Sequence, residues 1–137
     1  MNSKLSKSQI NRFSRQIILK NIGATGQKKI IQSKVLIIGM GGLGCPVAEF
    51  LTRAGVGTLG IIDNDKVDLS NIHRQSLYDI NDIKISKVSC AKKKLKKIHS
   101  KTNVVCHKIR INEDNFSKII KNYDYVVDGS DNFKTKF

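Results

Sequence analysis

The run from Val35 to Gly44, Val-Leu-Ile-Ile-Gly-Met-Gly-Gly-Leu-Gly, constrains the fold more than any other stretch of the chain. Four β-favouring apolar residues lead straight into a glycine cluster, the pattern of a buried parallel strand followed by a tight turn. Pro46 comes next, at the first turn of a helix where a missing N–H costs nothing, and Val47, Phe50, Leu51 and Ala54 continue at helical spacing. A strand, a glycine turn and a helix in this order present free backbone N–H groups and the positive end of a helix dipole to an anion. The glycines let a phosphate approach the main chain closely. The stretch is a candidate nucleotide site.

Downstream, Gly55 and Gly57 supply a helix cap and turn, and Thr58 to Ile62 reads as a second strand ending in Asp63. A carboxylate at the carboxyl end of this strand suits a ribose hydroxyl. In dinucleotide-binding folds the acid lies about 20 residues beyond the glycines, and Asp63 lies 63 − 44 = 19 beyond Gly44. Gly39-x-Gly41-x-x-Gly44 followed by an acid is also what an NAD-dependent oxidoreductase domain shows, so the glycines alone do not choose the nucleotide. The polar stretch Asp63 to Gln75 adds Asn71 and Arg74, three apart and on one face of a helical turn. A guanidinium there can reach phosphate bidentately, although a solvated polar loop reads the same way.

The remaining pattern is repetitive in kind. Ser6-Lys7-Ser8-Gln9 has the form of a capping box, and Ile10, Phe13 and Ile17 predict an amphipathic helix from about Ser8 to Leu19, with Arg12 and Arg15 on its solvated face. Gly23 and Gly26 bracket a turn before a short helix over Gln27 to Ser33. A long helix is predicted from Ile83 to His99, with Ile85, Val88, Ala91, Leu95 and Ile98 buried and five lysines between Lys92 and Lys97 solvated. Lys87 falls near its start, where the dipole disfavours a cation, which hints at an anion nearby. Asn103 to Ile109 reads as a third strand, Glu113 to Asn122 as a helix and Tyr123 to Val127 as a fourth strand. That strand runs into Asp128-Gly129-Ser130-Asp131-Asn132, whose two carboxylates are either Mg²⁺ ligands at the nucleotide edge of the sheet or the caps of an Asx-rich turn.

The predicted fold class is therefore α/β: a Rossmann-like parallel sheet with helices on both faces, truncated after the fourth strand. Residues 1–137 form one unit, a helical arm over 1–33 and a Rossmann-like core over 34–137. No segment approaches the roughly 18 consecutive apolar residues of a membrane span, and Met1 to Gln9 has no signal-like apolar centre, so a cytoplasmic protein without membrane contact is expected. Lysine and arginine exceed acids by 25 to 11, a net charge of +14. Because the excess is lysine scattered over helix faces, it favours acidic partners in general and does not make nucleic acid an expected one. Cys45, Cys90 and Cys106 form no Cys-x-x-Cys pair, and the three histidines have no ligand spacing, so neither zinc nor a redox motif is indicated.

Taken together, Arg12-Phe13-Ser14-Arg15-Gln16-Ile17, Gly39-Met40-Gly41-Gly42-Leu43-Gly44, Asp63 through Gln75, Lys87 and Asp128-Gly129-Ser130-Asp131-Asn132 resemble the adenylating half of the ThiF/MoeB/HesA family, bacterial relatives of the ubiquitin-activating enzymes. The resemblance implies an ATP-dependent adenylyltransferase acting on the C-terminal glycine carboxylate of a small ubiquitin-like sulfur-carrier protein of the molybdopterin or thiamine type, with release of pyrophosphate. It implies that Gly39, Gly41 and Gly42 lie against the nucleotide, that Asp63 takes the ribose and Asn71 makes a polar contact. Arg74 and Lys87 would neutralise phosphates, and Asp131 would hold Mg²⁺. Arg15 would reach the nucleotide of the other subunit of a homodimer, in place of the solvated role its spacing gives it. Zinc is expected only in a carboxyl-terminal part that these residues lack. The family pattern continues past the Asp-Asn block, so the chain reads as an amino-terminal part; the alternatives are an NAD-dependent oxidoreductase domain or an inactive nucleotide-binding or dimerisation fragment.

Overall fold

The computed structural model describes residues 4–130. Among these residues are five α-helices and four strands, alternating from β1 onward: α1 Lys7–Ile17, α2 Gly23–Gln32, β1 Lys34–Ile38, α3 Gly44–Ala54, β2 Thr58–Ile62, α4 Lys87–Ile98, β3 Asn103–His107, α5 Glu113–Ile120 and β4 Tyr125–Asp128. The strands are all parallel and lie in the order β3-β2-β1-β4. Strand order therefore reverses at β1, and the crevice between the carboxyl ends of β1 and β4 is where open α/β sheets bind ligands.

Alternation along the strands assigns the two faces. Val35, Ile37, Leu59 and Ile61 join Ala48 of α3 and Val88, Ala91 and Leu95 of α4 in one core cluster, while Leu36, Ile38 and Ile62 on the opposite face receive Phe116, Ile119 and Tyr123. Helices thus cover both faces, as the sequence predicts. Gly60 is in β2 because Tyr123 crosses it: a Cβ there would lie 2.2 Å from the Tyr123 hydroxyl oxygen. On β4 the side chains of Tyr125 and Val126 are exposed. None of the helices among the described residues is long and apolar enough to cross a membrane.

The amino-terminal helices dock at the far end of α3. Phe13 is buried over Gly55, where a Cβ would meet its ring at 2.6 Å, and Gln27 is fully buried with its Nε2 donating to the Ala54 carbonyl at 3.0 Å. Gln16 donates to the same carbonyl and to Gln27 Oε1, so the exposed end of α3 is capped by two glutamines from the arm. The predicted capping box is present at Ser6 and Gln9.

Several expected boundaries move. α2 begins at Gly23, so Gly26 lies inside a helix and the turn is 18–22. α1 ends at Ile17, and Ile10, expected in its buried stripe, is exposed. The largest difference is in α4, which starts at Lys87 and not at Ile83. Residues 83–86 instead pair with the strap 65–67: Lys84 N donates to Val67 O, Val67 N to Ile85 O and Lys87 N to Asp65 O. Lys84 adopts φ +69°, which no helix interior accommodates, and Ile85 turns outward at 48% exposure. Tertiary pairing has overridden a run of favourable helical spacing.

Candidate functional site

At the β1/β4 crevice a cavity of about 760 Å³ opens between the glycine turn, the loop after β2 and the loop after β3. The turn is glycine-rich for two distinct reasons. Gly39 has φ +86° and a Cβ on it would press on the Gly129 backbone at 3.1 Å, while a Cβ on Gly44 would stand 1.8 Å from the Gly39 carbonyl oxygen. These two positions need glycine for the fold itself. Gly41 and Gly42 do not: a Cβ on them would meet only the side chains of Gln75 at 3.4 Å and Arg74 at 3.7 Å. Both line the cavity, and their amides find no acceptor among the described residues. A bare surface of this kind is what an anionic ligand lying on the main chain requires.

Asp63 ends β2 at the cavity wall and uses both carboxylate oxygens to shape it, Oδ2 accepting from Met40 N at 2.9 Å and Oδ1 from Asp65 N at 2.8 Å. Each oxygen keeps a lone pair for a further donor. Asn71 and Arg74 sit on a 3₁₀ turn, Leu69–Asn71, and its continuation, with Asp68 as the cap. The Arg74 guanidinium donates through Nη1 to Ser70 O at 3.0 Å, which leans it along the cavity beside Gly42 and leaves Nη2 free of protein acceptors among the described residues.

Lys87 is the residue that most needs a ligand. It is 6% exposed, occupies the first position of α4 at the positive end of that helix, lines the cavity and makes no ion pair among the described residues. A buried ammonium beside a like partial charge is destabilising until an anion joins it. Its placement follows from the strap pairing that moves the helix start to this residue.

Of the residues expected at the site, Gly39, Gly41, Gly42, Asp63, Asn71, Arg74 and Lys87 all line one cavity. Arg15 does not; it is exposed on α1. Asp128 is turned into its own loop, its Oδ1 accepting from Ser130 N at 2.9 Å, which is the turn-capping role. Asp131 lies outside the described residues. Among the described residues no cluster of three His, Cys, Asp or Glu could hold a metal ion by itself. The sequence reading left out Gln75, 4% exposed beneath Gly41, and Arg110 at the rim after β3. Gln75 sits beside Arg74 in a polar stretch and only its burial distinguishes it. Ile38, Ile62, Ile109 and Ile111 give the cavity an apolar wall.

Fold and cavity together define a doubly wound α/β protein whose glycine turn lies at the switch point of the sheet. The ThiF family model matches residues 13–137, and the chain belongs to the ThiF family. It is 43% identical over 135 residues to the adenylyltransferase and sulfurtransferase MOCS3 of Aedes aegypti, a match covering 98% of this chain and 31% of that protein. To the sulfur carrier protein adenylyltransferase of Thermus thermophilus it is 39% identical over 132 residues, covering 96% of this chain and 49% of the relative. The chain thus spans between about a third and a half of the length of these relatives. Among solved structures, E. coli MccB with ATP superposes with a TM-score of 0.78 at 30% identity, over 90% of this chain and 39% of MccB. PaaA superposes with a TM-score of 0.84 at 31% identity, over 93% of this chain and 42% of PaaA.

Proposed function

We propose that this chain is the nucleotide-binding part of an enzyme that adenylates the C-terminal glycine carboxylate of a ubiquitin-like sulfur-carrier protein with ATP, releasing pyrophosphate. The observation that carries the reading is Lys87, a buried cation with no ion-pair partner among the described residues, lining one cavity with Arg74 and with the Gly41 and Gly42 amides, which have no acceptor among those residues. Relatives named for adenylyl transfer and for sulfur carriers support the chemistry, and the ATP complex of MccB supports the nucleotide.

In this reading the apolar wall takes the base, Asp63 the ribose, and the glycine turn the phosphates. The substrate's own carboxylate attacks the α-phosphorus, so the protein supplies no nucleophile. Its work is to hold carboxylate and phosphorus in line and to offset charge that grows on the phosphate oxygens as pyrophosphate leaves. Arg74 donates to those oxygens, Lys87 balances them from beneath, and Asn71 orients the chain between. Mg²⁺ fits this donor set only as an ion shared between the phosphates and a carboxylate, for which Asp131 is the proposed ligand. It would neutralise charge on the leaving group. Arg15, outside its own cavity, would reach the nucleotide of a second copy; exposed Leu43 and Phe50 on and before α3, and Ile18 and Leu19 after α1, are apolar surface that such a homodimer would cover. The proposed setting is the cytoplasm. An NAD-dependent oxidoreductase would explain the glycines and Asp63 but would leave Lys87 and Arg74 without a task.

Exchange of labelled pyrophosphate into ATP, measured on the whole protein with a carrier protein ending in glycine, tests the reaction. Arg74→Ala and Asp131→Ala should each lose exchange while keeping the fold, and near-parental exchange in both would overturn the assignment. Mixing Arg15→Ala with Asp131→Ala subunits should restore part of the activity, because one hybrid site keeps both groups; absence of rescue would exclude a shared site.

A further inference from the structure

The two peptide groups that flank Met40, in the middle of the glycine turn, are each held by a side chain. The Met40 N–H donates to Asp63 Oδ2 at 2.9 Å, and its carbonyl accepts from the Tyr78 hydroxyl at 2.6 Å and from Cys45 Sγ at 3.5 Å. Met40 itself is fully buried and Tyr78 is 4% exposed. Tyr78 comes from the segment between Arg74 and α4, whose Lys94 pairs with Asp79 next to it. Two parts of the chain that are remote in sequence, Asp63 and Tyr78, therefore converge on one residue of the turn.

We propose that Tyr78 is a positioning residue for nucleotide binding: its hydroxyl holds the Met40–Gly41 peptide while the Asp63 carboxylate holds the Gly39–Met40 peptide, and together they set the direction of the Gly41 amide toward the phosphates. The inference rests on the ATP reading only for the ligand, because the clamp belongs to the free protein. The Gly41 N–H shares its peptide plane with the Met40 carbonyl that Tyr78 holds, and the Gly42 amide follows one residue on; without the clamp a glycine-rich turn samples many backbone states that must be given up on binding. The hydroxyl is a dependable donor. Burial holds Tyr78 far above the ordinary tyrosine range, and burial likewise raises the Cys45 thiol, which remains a weak donor and cannot replace it. Asp63 thereby has two roles, and a ribose hydroxyl on its carboxylate would be linked to the phosphate end of the site through the single residue Met40.

Tyr78→Phe removes only the oxygen and keeps the ring that fills the core. Hydrogen exchange at the Met40 and Cys45 amides of the unliganded chain, which donate to Asp63 Oδ2 and Gly41 O, should accelerate in this variant, with β1 and β2 amides unchanged. Affinity for ATP with Mg²⁺ should fall roughly three- to tenfold, the size expected for one net hydrogen bond. Val104→Ala, a core variant in β3 remote from the turn, is the control for stability: at a comparable loss of Tm it should leave turn exchange and affinity at parental values. Parental turn exchange in Tyr78→Phe, or an equal change in the Val104→Ala control, would overturn the clamp. If the parent itself fails to bind ATP, the functional reading fails, and turn exchange in the free chain still decides whether the clamp exists.

Discussion

At the scale of single residues, the glycine turn separates positions that serve the fold from positions that serve a ligand. A Cβ at Gly44 would stand 1.8 Å from a backbone oxygen, whereas one at Gly41 would make ordinary contact with a flexible glutamine. Gly44→Ala is therefore expected to abolish folding, read as loss of a cooperative thermal transition. Gly41→Ala should keep its Tm within a few degrees and lose nucleotide affinity about tenfold or more. If both variants fold and bind alike, the two roles are not separate. The glycine spacing itself was legible in the sequence, as were Asp63 and Arg74, because their types and distances answer directly to phosphate and ribose. Gly44's steric role, the burial of Gln75 and the hydroxyl of Tyr78 were not, since each depends on what a remote segment brings against it.

Elements show the same division between local pattern and tertiary pairing. All four strands and all five helices were readable from apolar spacing and turn residues. The start of α4 was not, because residues 83–86 pair with 65–67 and Lys84 takes a left-handed backbone conformation. In α3 the spacing marks Val47, Phe50, Leu51 and Ala54; Val47 and Leu51 pack partly buried against the core, while the fully buried positions are Gly44, Cys45, Ala48 and Thr52, small residues that let the helix lie close to the sheet, and Phe50 is 66% exposed. Truncations along the expected α4 stripe test the revised boundary. Leu95→Ala, at a fully buried position, should cost about 2–5 kcal/mol, and Ile85→Ala about 0.5 kcal/mol or less. Urea denaturation measures both, and equal losses would restore the longer helix. In β2, Gly60→Ala should cost about 1–3 kcal/mol as Tyr123 is displaced, and a neutral effect would show that the second core cluster is looser than its geometry indicates.

For the molecule as a whole, charge and titration set the working range. Burial holds His99 below the ordinary histidine value of 6.5, with the positive charges of Arg12, Lys96 and Lys101 adding to the effect, and burial alone does the same to His107. Both bind protons less readily when folded than when unfolded, so their contribution is complete above pH 6.5 and is lost as pH falls toward the lower folded values. Tm should therefore decline as pH drops below about 6.5, with a shallower slope in His107→Gln; a flat profile would contradict the burial of these rings. Family membership and the parallel sheet with helices on both faces were legible because they rest on several short motifs in series; the strand order was not among the expectations. Of how the arm docks, only Phe13 on the apolar stripe of α1 was legible; Gln16 and Gln27, which donate to the Ala54 carbonyl, carry no periodic signal. The proposed role of the cavity at the sheet's switch point is to take the phosphates of ATP, and calorimetric titration of the chain with ATP and Mg²⁺, beside NAD, is its sharpest test. ATP should bind in a Mg²⁺-dependent way and lose that binding in Arg74→Ala, with no heat from NAD. Binding of NAD in preference to ATP, or no ATP binding by the folded chain, would contradict it.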